Sequence, residues 1–232
     1  MAEMVVAHGE DALAAFARGE FLVVMDDEGR ENEGDLICSA ALCTTEKMAF
    51  LIKHSSGFVC ISLPPARLEA LEVPMMLPTN TDRHRTAYTV TVDYKHGTTT
   101  GISAHDRALT ARKLASSDSS PDDFSRPGHL VPLRAREGGV LTRRGHTEAA
   151  LGQWLIHFTR PIDLLIFLLH IRSMPSGLLC ELVNDDAQGT MARRDDCRAF
   201  AQRWGLKMIS IEMLAQYRTQ LEAVERERRA LP

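Results

Sequence analysis

The chain has 232 residues, 44% hydrophobic and 25% charged, the proportions of a soluble globule long enough to bury a sizeable core. A net charge of −4, with no basic stretch interleaved with aromatics, argues against nucleic acid as a main partner. The five cysteines are odd in number and form no C-x-x-C pair, which fits reduced thiols in a cytoplasmic protein.

The N-terminus shows no signal peptide, since Met1-Ala2-Glu3-Met4 leads into a stretch carrying Glu10 and Asp11. Asp11 to Arg18 reads as a short helix with Leu13, Phe16 and the alanines inward. Phe21 to Met25 is a strand, followed by an acidic loop and a second strand from Leu36 to Ala41. Thr45 caps a helix through His54, with Met48, Leu51 and Ile52 on one face. Phe58 to Leu63 is a strand, and Pro64-Pro65 opens a short helix. Ala87 to Asp93 alternates cleanly and is the best-defined strand.

Ser103 and Asp106 form a capping-box-like start to a helix through Leu114, and Ser116 to Asp123 is an exposed polar loop. The most apolar stretch, Trp154 to Ile171, carries Arg160, Pro161 and Asp163 at its middle, which would be costly in lipid, so no membrane span is expected. Leu130 to Ala135 and Leu178 to Val183 are strands. Asp195 to Trp204 is a helix, Lys207 to Ile211 a strand, and Glu212 to about Arg228 a closing helix. Strands and helices mix without strict alternation, internal repeat or linker. The pattern predicts one α+β domain over residues 1–232, with a mixed β-sheet flanked by helices in layers.

The acidic loop reads Asp26-Asp27-Glu28-Gly29-Arg30-Glu31-Asn32-Glu33-Gly34-Asp35. It holds six carboxylates and one arginine between two apolar runs. Packing acids this closely costs repulsion unless a proton or cation offsets it. A hard divalent ion such as Mg²⁺ is the natural offset, held by one or two carboxylates plus waters and substrate oxygens. On composition alone the same run reads as a solvated loop. The EF-hand spacing is absent.

A second block reads Arg143-Arg144-Gly145-His146-Thr147-Glu148-Ala149. Shorter ones are Ser55-Ser56-Gly57-Phe58-Val59-Cys60, Thr99-Thr100-Gly101-Ile102-Ser103-Ala104-His105-Asp106-Arg107, Arg126-Pro127-Gly128-His129 and Cys180-Glu181-Leu182. Together with the acidic loop, and in this order, they resemble the 3,4-dihydroxy-2-butanone 4-phosphate synthase family of riboflavin biosynthesis, in its monofunctional, fungal-like form. The resemblance covers about residues 10 to 150 and 175 to 217. It implies an α+β fold and a homodimer with active sites at the subunit interface, without nucleic-acid or membrane partners. It also implies Mg²⁺ or Mn²⁺, two per active site. The implied reaction converts ribulose 5-phosphate into 3,4-dihydroxy-2-butanone 4-phosphate and formate, by metal-assisted enolisation and skeletal rearrangement. The chain ends soon after the closing helix, so no fused GTP cyclohydrolase domain is expected.

Within that resemblance Glu31 and His146 match the metal ligands and lie among the substrate-binding residues. A metal there would polarise the ketone and acidify the adjacent C–H; Mn²⁺ tolerates the nitrogen ligand better than Mg²⁺. Glu33, Asp35, His129 and Glu181 are the candidates for proton transfer, with Asp35 also contacting sugar hydroxyls. Glu181, inside a strand-like apolar run, is either edge-exposed or a buried functional group. Arg30, Arg143 and Thr147 are the expected phosphate donors, with Arg144 and Gly145 in the same substrate-binding block. Thr98-Thr99-Thr100-Gly101 is either an anion cradle or a helix cap. Cys60 is either a catalytic-site thiol or a packing residue.

Two stretches depart from the family pattern. Leu151 to Met174 is longer by about a dozen residues and unusually apolar. It is either a retained intron translated in frame, the favoured explanation because the flanks resume the pattern, or a lineage insertion forming a partner surface. Arg85 stands where the family has glycine, and a positive φ there would strain the turn. The alternative to the synthase is a catalytically impaired homologue that binds sugar phosphate or a partner chain. A module that only binds cations would not need Arg143, Thr147 or Glu181.

Overall fold

The computed structural model describes residues 11–158 and 175–230. Helix α1 spans 11–17. It is followed by β1 (Leu22–Met25), β2 (Gly34–Ser39), α2 (Thr45–His54), β3 (Cys60–Leu63) and α3 (Pro65–Ala70). Then come β4 (Val92–Tyr94), α4 (Ala104–Leu114), β5 (Phe124–Arg134), α5 (His146–Phe158) and β6 (Gly177–Glu181). The described chain closes with α6 (Arg194–Trp204), β7 (Lys207–Ser210) and α7 (Ile211–Ala230). The strands form one seven-stranded sheet, ordered β4-β5-β3-β6-β2-β1-β7. It is mixed: β1–β7 and β3–β5 run parallel, the other pairs antiparallel.

Strand alternation sorts the core into two layers. Val23, Met25, Leu36, Cys38, Ile61 and Leu178 face one side, under α2, α4 and α6. Leu22, Val24, Ile37, Cys60, Leu179 and Val131 face the other, under α1, α5 and α7. This is the expected α+β sheet with helices in layers. Each layer buries apolar side chains that alternate along the strands, and that burial is the main favourable term holding the sheet to its helices.

Several expected boundaries shift. Thr44, not Thr45, caps α2, accepting from the Lys47 N–H. Strand β2 starts at Gly34 rather than Leu36, which puts Asp35 inside the ladder. The stretch Ala87 to Asp93 is not a continuous strand. Only Val92–Tyr94 forms a ladder, after isolated bridges at Met75–Thr89 and Tyr88–Leu133. Opposite it lies Pro132, which has no N–H to donate, and the register shifts between Val92 and Asp93. Thr89 uses both its N–H and hydroxyl on the Pro132 carbonyl instead. Ser103 does cap α4 through the Asp106 N–H. The Asp106 carboxylate turns back to the Thr99–Gly101 loop.

Arg85 has φ +58°, so the turn expected to want glycine does adopt a left-handed backbone, and arginine bears its cost. Helix α5 runs into the atypical segment as far as Phe158; the rest of Leu151 to Met174, and both explanations for it, lie outside the described residues. Among the described residues no helix is long and apolar enough to cross a membrane.

Candidate active site

Asp26, at the end of β1, organises the acidic loop. Its Oδ1 accepts from the Glu33 N–H at 2.9 Å, and its Oδ2 accepts from the Glu31 N–H at 3.2 Å and from Arg30 Nη1 at 2.8 Å. Its own N–H donates to the Glu33 carbonyl at 3.1 Å. Arg30 also pairs with Glu31. From outside, Arg193 Nη1 donates to the carbonyls of Glu31 and Asn32, each at 2.7 Å. Gly34 then returns the chain to the sheet. A Cβ there would meet Met25 Sδ at 2.8 Å and press against Cys197 Sγ, so only glycine lets β2 pass this close.

Asp35 on β2 stands opposite Glu181, the last residue of β6. Both lie on the sheet face toward α5, where Cys60 and Leu179 also point. Glu181 accepts from Ser56 Oγ at 2.9 Å. Asp35 is 2% exposed, and its Oδ1 has no hydrogen-bond partner. Burial, then the neighbouring Glu181 and Glu31, push its carboxyl well above the usual range. Glu33 is raised in the same way, by burial first and by Glu31 next.

Across from these acids sits the first turn of α5, with His146 and Thr147 buried. A helix N-terminus favours an anion. His146 Nδ1 lies 3.6 Å from Asp35 Oδ1 and 4.0 Å from Glu31 Oε2. Burial lowers the imidazole's pKa, so the ring stays neutral. Just before the helix, Arg143 spends its fork within the protein. Nη1 pairs with Glu148 at 2.6 Å, Nε and Nη2 donate to the His84 carbonyl at 3.3 and 3.0 Å, and Nη2 also donates to Thr86 Oγ1 at 3.0 Å.

One cavity of about 60 Å³ thus brings together Arg30, Glu31, Glu33, Asp35, Cys60, Arg143, His146, Thr147 and Glu181. Three expected site residues lie elsewhere. Arg144 is half exposed and pairs with Glu212 on α7. Gly145 contributes space: a Cβ there would strike Arg143 and Glu148. His129 sits on β5, with Nδ1 2.6 Å from Asp93 Oδ2 and its N–H on Asp93 Oδ1 at 2.8 Å. Cys60 lines the cavity, and burial and then Glu181 push its thiol well up, which disfavours the thiolate form.

Sequence reasoning missed Asp26, Thr86 and Tyr88, as well as His84, whose Nε2 is 3.8 Å from Glu31 Oε1. Asp26 was visible only as one acid among six. Tyr88 falls inside the stretch Ala87 to Asp93 expected as a strand, and Thr86 lies just before it.

Asp26, Glu31 and His146 offer ligand atoms all within 4.8 Å of one another. Two carboxylates, one neutral imidazole and the orphaned Asp35 oxygen beside them form an oxygen-rich donor set that fits a divalent cation of the Mg²⁺ or Mn²⁺ kind.

A family model described as 3,4-dihydroxy-2-butanone 4-phosphate synthase matches residues 10–217. The Schizosaccharomyces pombe 3,4-dihydroxy-2-butanone 4-phosphate synthase is 53% identical over 209 residues, covering 90% of this chain and 95% of its own. An Arabidopsis thaliana protein named as a monofunctional riboflavin biosynthesis protein is 49% identical over 213 residues, 91% of this chain and 41% of its own. The crystal structure of a 3,4-dihydroxy-2-butanone 4-phosphate synthase in complex with two magnesium ions superposes with a TM-score of 0.82 at 46% identity, covering 92% of this chain and 97% of that one. Identity this high over nearly the whole chain, on a matching backbone, shows that the chain belongs to the 3,4-dihydroxy-2-butanone 4-phosphate synthase family, a family of lyases.

Proposed function

We propose that this chain converts D-ribulose 5-phosphate into L-3,4-dihydroxy-2-butanone 4-phosphate and formate, a step of riboflavin biosynthesis. The observation that carries the reading is the shared cavity. It joins the acids of β2, β6 and the acidic loop to the N-terminus of α5. The phosphate end of the substrate lies toward that helix terminus, with Thr147 and Arg30 as donors and Arg143 holding Thr86 and His84 in place. The sugar end lies over Asp35, Glu33 and Glu181.

Glu31 and His146, with Asp26 beside them, would hold Mg²⁺ or Mn²⁺, two ions per site; the magnesium-bound relative is a complex with two magnesium ions. Bound there, the metal would polarise the substrate ketone and acidify the adjacent C–H. Asp35, raised by burial, can hold a proton while a neighbouring carboxylate takes one from carbon. The shape of the site, with acids on one wall and a helix N-terminus on the other, orients the sugar between the two groups.

The His129–Asp93 pair fits a homodimer with sites at the subunit interface. It lies outside its own chain's cavity, while Ile102 follows Gly101, whose backbone packs against the pair. Ile102 and Phe58 are both exposed apolar side chains, suited to a second copy. The reading treats the chain as one synthase domain in the cytoplasm, consistent with five free buried cysteines.

The test is direct. Purified protein with ribulose 5-phosphate and Mg²⁺ is assayed for formate, then again in excess EDTA. Formate that vanishes with EDTA supports the proposal. Binding without any formate supports the impaired homologue instead.

A further inference from the structure

A second cavity, of about 430 Å³, opens beside the turn at Arg85 and the end of β5. Its rim carries Arg85, Arg134 and Arg136 against a single acid, Glu137. Among the described residues none of these three guanidiniums makes an ion pair or hydrogen bond. Every other arginine at the neighbouring catalytic cavity is spent on a carboxylate or carbonyl. Three unspent cations on one concave surface are costly in mutual repulsion, and a protein of net charge −4 has acids enough to have neutralised them. Arg85 also keeps a side chain at φ +58°, where glycine would be free of strain.

We propose that this cavity is a second anion site, which binds an organic polyphosphate of the nucleoside diphosphate kind. Guanidinium forks match phosphate oxygens in pairs. Met75 and Leu77 supply an apolar wall for the organic part. The volume is that of an ordinary small-molecule site.

The two cavities share their wall. The Arg134 N–H donates to the Ala87 carbonyl at 3.0 Å, which ties the Arg85 turn to β5. The Arg136 N–H donates to Glu148 Oε1 at 3.1 Å, while Glu148 Oε2 holds Arg143. Arg143 in turn holds His84 and Thr86, the residues on either side of Arg85. An anion that draws Arg85 and Arg136 together therefore pulls on both supports of Arg143. That coupling rests on the reading of the neighbouring pocket as the sugar-phosphate site; the anion site itself does not.

Isothermal titration of ADP, inorganic pyrophosphate and adenosine into metal-free protein tests the site. The wild type is compared with Arg85→Gly and Arg134→Gln. Arg85→Gly removes the charge while relieving the turn, so its melting temperature should hold or rise and lost binding cannot be blamed on unfolding. ADP should bind saturably to the wild type, pyrophosphate more weakly and adenosine not at all. Each variant should weaken ADP binding about tenfold, the scale of one charge-assisted contact. Absence of saturable ADP binding, or ADP binding to both variants as tight as to the wild type, overturns the site; the latter would place ADP in the other pocket. With active enzyme, ADP should shift KM for ribulose 5-phosphate in the wild type and much less in Arg134→Gln. An unchanged KM with ADP bound overturns the coupling alone. A chain without activity leaves the binding result standing.

Discussion

His146 Nε2 lies 3.0 Å from the Val24 carbonyl oxygen. A carbonyl can only accept, so Nε2 carries the hydrogen and Nδ1 presents its lone pair to Glu31 and Asp35. The backbone of β1 thereby chooses the tautomer that a metal needs.

His146→Ala is accordingly expected to weaken Mn²⁺ binding by about a hundredfold or more, beyond the usual effect of an outer partner. It also leaves the Val24 carbonyl short of one donor and should cost about 1–3 kcal/mol of stability. Mn²⁺ titration followed by electron paramagnetic resonance, alongside a thermal melt, separates the two effects. Unchanged Mn²⁺ affinity would remove His146 from the site.

Arg30 occupies the carboxylates that a cation would want, bonding both Asp26 and Glu31. The cavity of about 60 Å³ leaves room for a few waters, so Arg30 must swing aside for a pentose phosphate. Arg30→Gln should therefore tighten Mg²⁺ binding about tenfold while raising KM for the sugar phosphate. Calorimetry of Mg²⁺ binding checks this, and weaker binding in the variant refutes the competition.

Arg143→Lys replaces a fork that reaches Glu148, His84 and Thr86 with a single point charge. KM is expected to rise more than kcat falls, with a loss of about 1–3 kcal/mol in stability, because Glu148 is only 1% exposed and loses its planar partner. Steady-state kinetics and urea melts on one preparation decide it. An unaltered KM would mean that Arg143 has no part in holding the phosphate end.

Asp106 supports the Thr99–Gly101 loop, its Oδ2 accepting from Thr99 N–H, Thr99 Oγ1 and Gly101 N–H at 3.1, 2.8 and 3.0 Å. Burial pushes its carboxyl up, but these hydrogen bonds outweigh it and hold the pKa below the usual range. A depressed folded pKa contributes stability that is full above the unfolded value of about 4 and lost as pH falls through the folded one. Asp106→Asn should cost about 1–2 kcal/mol near pH 7. The gap from wild type should narrow below about pH 4. A gap independent of pH would show that the ionised form is not what the loop needs.

Much of the fold could be read from the chain because apolar alternation and helix caps are local. The runs at Val23 and Leu36, the Ser103 cap and the Pro65 helix start depend on neighbours within a few residues, and they appear where the pattern puts them. The family motifs likewise named most of the cavity, since His146, Glu31, Asp35 and Glu181 sit in short identifiable strings. The stretch Ala87 to Asp93 failed for a non-local reason. Its alternation was sound, but its partner strand offers Pro132, which cannot complete the ladder.

Tertiary structure alone decided which polar residues mean something together. Asp26 looks like any acid of its loop until three donors converge on it. Arg143 and Arg144 are neighbours in sequence, yet one is locked to Glu148 inside and the other pairs with Glu212 at the surface. His129 belongs to a recognisable motif but folds beside Asp93, away from the acids it was grouped with. In each case sequence specifies the charge a residue can carry. Burial and the partners that the fold brings from distant strands set what that charge does.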